Sequence, residues 1–165
     1  MREFWRFLTP PYFYKRMGLR DHIAFLRSLT PDKQEEKIVQ IMFSLENEIV
    51  DANQFQLLEG KYSDGGFVEP PYRNPSYARR KLMMNPNGVV DLRLTGAFHN
   101  SFFMQPTTKF PISIFATDPK TKSLLDKYGG KDKIFGLNQE GRDHVIKYHL
   151  LPEIQTLYKS ILQLP

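Results

Sequence analysis

His99 and Ser101 hold the base and nucleophile chemistry of the central stretch Val89 to Phe103, and they lie two residues apart. A hydrolase serine of the elbow type sits in Gly-x-Ser-x-Gly, a pattern missing around Ser101. Without a third partner named by any motif, both residues read as a polar cap or turn pair.

Carboxylates come next. Glu35, Glu36, Glu46, Glu48 and Asp51 gather in one segment, so a carboxylate metal site has to be weighed. The helical Glu-x-x-His pairing of di-iron proteins is absent, and these acids fall mostly off the apolar stripe of their own segment. They read as a solvated or partner-facing surface. His144 and His149 lie five residues apart, which on an α-helix puts them on different faces, and neither the four-residue spacing nor the Glu of a zincin is present. No metal and no cofactor are expected. The absence of cysteine excludes disulfide frameworks, thiolate metal sites and cysteine nucleophiles.

Among the cations, Arg79-Arg80-Lys81 is the densest cluster and the natural phosphate-binding candidate. It lacks a glycine-rich cradle, so a solvated surface, an inter-subunit contact or the lining of a lumen competes with phosphate binding. The first twenty residues mix Phe4, Trp5, Phe7, Tyr12, Phe13 and Tyr14 with Arg2, Arg6, Lys15, Arg16 and Arg20, and Pro10-Pro11 divides them. Adjacent prolines prevent one continuous helix, so this is an arm. Packing on its own core, lying on an anionic surface, stacking on single-stranded nucleic acid and docking on a partner all suit it. Trp5, Arg6, Tyr12, Tyr14 and Arg16 are the expected inter-subunit contacts, because Trp, Tyr and Arg are enriched at interface hot spots.

Composition bounds the rest. The 165 residues suffice for one ordinary core, and 23 basic against 18 acidic side chains leave a mild surplus of +5. No apolar run approaches the roughly 20 residues of a membrane-spanning helix, and no signal sequence opens the chain, so synthesis in the cytoplasm and no membrane partner are expected. Thirteen Phe and eight Tyr exceed what a core of this size hides, a first hint of contacts with other chains.

The elements that position these residues follow from periodicity. Leu19, Ile23, Leu26 and Leu29 suggest a short amphipathic helix. Thr30-Pro31 then caps and opens a long helix whose stripe is Ile38, Ile41, Met42, Leu45, Ile49 and Ala52, stopping at Gly60. An irregular connector runs from Lys61 to Gly88, interrupted by two helical turns over Tyr77 to Met84. Alternation over Val89 to Leu94 predicts a strand edge that breaks at Gly96, followed by a short helix or a second strand carrying Phe98, Phe102 and Phe103. Asn100 to Gln105 and Phe110 to Ala116 should pair as a hairpin, with Pro111 at a strand start or edge. Asp118 caps a helix ended by Gly129-Gly130. An apolar clip Ile134-Phe135-Gly136-Leu137 follows, then Asn138 caps a final helix that Pro152 should kink or divide. The result is α+β: a small antiparallel sheet with amphipathic helices on one face. Residues 1–29 form the arm and short helix, and residues 30–165 form a single domain.

This order of elements resembles the small neck proteins of tailed bacteriophages, of the head-tail connector and tail-completion type. Leu92, Thr95, Gly96 and Ser101 carry the resemblance, with Phe98 beside them, then Ile112 to Ala116, Tyr128-Gly129, Phe135-Gly136 within the clip, Glu140, and the helix to Leu162. Gln56 to Gly60, Asp64-Gly65 and Tyr72 to Lys81 are similar to versions encoded by phages and prophages of Bacteroidota. The resemblance implies a non-enzymatic virion structural protein. It would form a homo-oligomeric ring in the neck between the portal or its adaptor and the tail, with non-specific contact to passing DNA. The alternative is a nucleic-acid-binding module using the arm and the Arg79-Arg80-Lys81 cluster.

Overall fold

In the computed structural model residues 30–162 are described, together with Arg20, Ile23 and Arg27. Trp5, Arg6, Tyr12, Tyr14 and Arg16, and most of the expected Leu19 to Leu29 helix, lie outside the described residues.

Thr30 starts the first helix, α1 (Pro31–Ser44), as expected: its hydroxyl accepts from Lys33 N–H (3.4 Å) and Pro31 occupies the first turn, where a missing amide hydrogen costs nothing. The expected single helix is divided. Leu45 leaves helical geometry (φ −102°, ψ 22°), and its N–H is shared between the Ile41 and Met42 carbonyls before α2 (Glu46–Leu58) begins. Ser44 Oγ donates back to the Ile41 carbonyl at 2.7 Å, competing for the helix's own acceptor, and Glu46 Oε1 accepts the Met104 N–H at 2.7 Å. A local competitor and a long-range acceptor thus coincide at the break.

Gly60 ends α2 with φ 71°, its N–H on the Leu57 carbonyl and that of Lys61 on Gln56. Any side chain here would meet Val89, since an added Cβ would lie 2.6 Å from Val89 Cβ. The connector then holds α3 (Pro75–Met84), capped by Asn74, whose side chain accepts from Tyr77 N–H.

Val89 to Leu94 forms no strand, contrary to its alternation. The Asp91 carboxylate takes the Arg93 N–H at 3.0 Å, and Leu92 between them adopts φ 51°, a left-handed conformation that an extended ladder excludes. A 3₁₀ turn (His99–Ser101) leads into β1 (Phe102–Met104), which pairs antiparallel with β2 (Ile114–Ala116) in the register Phe102 to Ala116, Phe103 to Phe115 and Met104 to Ile114. Pro111 lies in the connection, outside the ladder.

The next helix, α4 (Thr121–Lys127), starts after Asp118, whose carboxylate accepts the Lys120 N–H. A single turn, α5 (Lys131–Ile134), precedes the clip, and Asn138 caps α6 (Gln139–Val145). Pro152 does not break the last helix. A π turn (Ile146–Leu150) joins α6 to α7 (Leu151–Leu162), with the Leu151 N–H reaching back to Ile146. Widening the helix just before a proline accommodates its ring and missing donor without a separate segment.

The fold is thus mixed α+β around one small sheet. Leu57 and Ile134 are fully buried, each worth about 1.5–3 kcal/mol of apolar transfer. Phe102 lies edge-on between Phe98 (4.9 Å) and Phe135 (5.3 Å), which joins the sheet to the clip.

Candidate functional site

Four polar arrangements stand out, two buried and two open. The first buried one is built on Lys81. Expected at the surface with Arg79 and Arg80, which are indeed exposed, Lys81 is 2% exposed. A helix turns 100° per residue, so three successive cations cannot share a face. Lys81 Nζ donates to Asp91 Oδ1 at 2.5 Å and to the Arg93 carbonyl. Tyr72 OH donates to Asp91 Oδ1 at 3.2 Å, and Asn85 Nδ2 bridges Asp91 Oδ2 to the Leu58 carbonyl at the end of α2.

Burial alone would push the Asp91 carboxyl up, but the Lys81 ammonium and the Arg93 and Asn85 donors hold it below its usual range. Burial also pushes the Tyr72 phenol up, helped by the Asp91 charge, and pushes the His99 imidazole down. His99 Nε2 meets the Asp91 carbonyl at 2.9 Å, so the ring nitrogen there carries the hydrogen and donates.

Ser101 is turned to other work: its Oγ donates to the Phe98 carbonyl at 2.8 Å and accepts the Asp118 N–H at 3.1 Å. Serine and histidine therefore act as separate backbone clamps. The motif residues around them converge. Gly96 (φ 87°) accepts the Asn100 N–H, Thr95 Oγ1 accepts that of Ala97, Leu92 and Phe98 are buried, and Tyr128 with Gly129 (φ 91°) closes α4.

A second buried set, missed in the sequence, fixes the clip. Asn53 Nδ2 donates to the Ile134 and Gly136 carbonyls (3.1 and 2.9 Å) and Gln56 Nε2 to Gly136 (2.7 Å), while Gln56 Oε1 accepts the Asn138 N–H (2.8 Å). Their spacing of three on α2 was the available signal, hidden because amides usually face water. Gly136 has φ 119°, which suits glycine alone.

The first open arrangement is a cleft of about 500 Å³ between α2 and the α6–π segment. It is lined by Ala52 and Phe55, the latter 63% exposed, and by Glu48, Asp51, Glu59 and Glu140 with His144 and His149. The two histidines share this cleft with ring centroids 5.6 Å apart, although five-residue spacing on an α-helix would separate them. The π turn is the reason, since its i→i+5 repeat realigns residues five apart. Among the described residues no group of three or more His, Asp or Glu is placed to hold a metal ion.

The second open cleft, about 390 Å³, lies over the central stretch and is lined by Tyr72, Tyr77, Arg73, Lys120 and Lys127, with Asp118 the one acid. Here tertiary structure gathers cations that are scattered in sequence. No helix among the described residues is long and apolar enough to cross a membrane. No family model, curated protein or solved structure matches this chain.

Proposed function

We propose that this chain is a structural, non-catalytic component of a tailed-phage neck that closes into a ring and joins the portal or adaptor side to the tail. It would be made in the cytoplasm of the host bacterium and act in the virion. The sequence resemblance suggests the class. The observation that carries the assembly reading is the C-terminal helical segment, where Ile146 and Tyr148 of the π turn and Leu151 and Tyr158 of the amphipathic α7 are exposed (43, 58, 44 and 37%). Large apolar side chains recurring along one helix mark a surface built to be covered by protein. Leu82, Met83 and Met84 at the end of α3 give a second, unlike apolar surface (52, 87 and 55% exposed), and rings need two unlike faces per subunit.

The test is the mass of the purified protein, alone and with portal and tail partners, together with electron microscopy of purified particles. Tyr148→Ser with Leu151→Ser and Tyr158→Ser should abolish assembly while leaving the thermal midpoint within a few degrees, about the effect expected of exposed positions. A monomer under all conditions, or absence from particles, overturns the proposal. A nucleic-acid-binding reading is favoured by one observation, the basic tyrosine cleft at Arg73, Lys120 and Lys127. It requires DNA affinity falling by orders of magnitude between about 50 and 200 mM salt.

A further inference from the structure

We infer that the cleft between α2 and the α6–π segment receives the N-terminal segment, residues 1–20, of an adjacent copy. This rests on the ring-forming reading and names the contact that would link neighbouring subunits. The lining of the cleft combines apolar surface, Ala52 and Phe55, with four carboxylates, Glu48, Asp51, Glu59 and Glu140. Phe55 stands 63% exposed within it, although a side chain of that size loses about 1.5–3 kcal/mol of transfer free energy by remaining in water. Lys61 partly neutralises Glu59 and Glu140, at 2.9 and 3.7 Å, whereas Glu48 and Asp51 have no ion-pair partner among the described residues.

An occupant must therefore bring aromatic surface and positive charge together. Residues 1–20 do so more densely than any other part of the chain: six aromatics and five basic residues against the single Glu3. Arginine suits this lining twice over, since its guanidinium pairs with carboxylates and stacks on flat rings such as Phe55, His144 and His149. The π turn brings His149 into the cleft beside His144, so that three rings line it. Without the segment the rest of the chain is close to neutral, so the segment holds most of the surplus of +5 and is the natural counterpart of an acidic lining.

Trp5 is the only tryptophan and the chain has no cysteine, so the full-length protein carries its own reporter. Asn47 is exposed on α2 one turn before Asp51, outside the cleft lining. Wild-type chain, as Trp5 donor, is mixed with a Trp5→Phe, Asn47→Cys chain bearing a dansyl acceptor. The expected result is sensitised dansyl emission, weakened about tenfold in binding when the acceptor chain also carries Asp51→Lys and Glu140→Lys. Transfer only within a single chain retaining Trp5 and labelled at Asn47→Cys would overturn the exchange between copies. No transfer in either format, or transfer indifferent to the two lysines, would overturn the cleft as the site. The mass of the same samples, alone and with portal and tail partners, separates the two proposals: an oligomer without transfer removes this inference alone, whereas a monomer under all these conditions removes the ring as well.

Discussion

Two irregular segments are bound to the helices by buried side chains, the central loop through charges and the clip through amides. At the loop, Lys81 and Asp91 form an ion pair shared with Tyr72, Asn85 and the backbone; at the clip, Asn53 and Gln56 grip three backbone positions without any charge. Both satisfy backbone groups that no sheet or helix would otherwise take. They differ in what happens when a partner is lost. An abandoned charge in the core is far costlier than an abandoned amide, so the loop is held firmly but conditionally, and the clip more weakly but under any pH.

Removing Asp91 should separate the two regions most. Asp91→Ala strands the Lys81 ammonium at a position 2% exposed, and urea unfolding should report a loss of about 3–5 kcal/mol. Adding Lys81→Met to Asp91→Asn should recover part of that loss, since the stranded charge is then gone. An unchanged urea midpoint in Asp91→Ala would mean that the pair does not hold the loop.

Gln56→Ala should cost less, about 1–3 kcal/mol. The Gly136 carbonyl keeps its bond from Asn53, so the Asn138 N–H is the group left without its partner. A loss equal to that of Asp91→Ala would erase the distinction between charge and amide.

Acid is the finest probe. Burial holds the His99 imidazole below its ordinary value of 6.5, so as pH falls through 6.5 the unfolded chain takes up a proton that the folded chain refuses. Stability should therefore decline from 6.5 down to the lowered His99 value, by at most about 1.4 kcal/mol per pH unit. Asp91, also lowered, adds its own loss as pH falls below the ordinary carboxyl value of 3.8. Urea midpoints in His99→Gln should lose the decline that begins below pH 6.5. If the slope persists in that variant, the proton is bound elsewhere.

The elements set by short-range chemistry were readable in the chain. Thr30 and Asn138 accept the N–H groups of their helices, Gly60 and Gly129 take the positive φ that ends a helix, and the segments flanking Pro106 to Lys109 pair as a hairpin, so the α+β class followed. Caps and turns involve partners a few residues apart, and spacing encodes them. Distant partners decided the rest. Alternation over Val89 to Leu94 promised a strand, but Asp91 is claimed by Lys81, ten residues away, and by the Arg93 N–H, and the backbone bends at Leu92 to serve them. Lys81 looked like a surface cation because nothing nearby in sequence marks its partner. His144 and His149 looked divergent because a periodicity of 3.6 was assumed where a π turn prevails. Sequence thus determined which elements form and where they stop. Tertiary structure decided which charges are buried and which rings share a cleft, because burial and long-range hydrogen bonds outweigh local preference wherever the two compete.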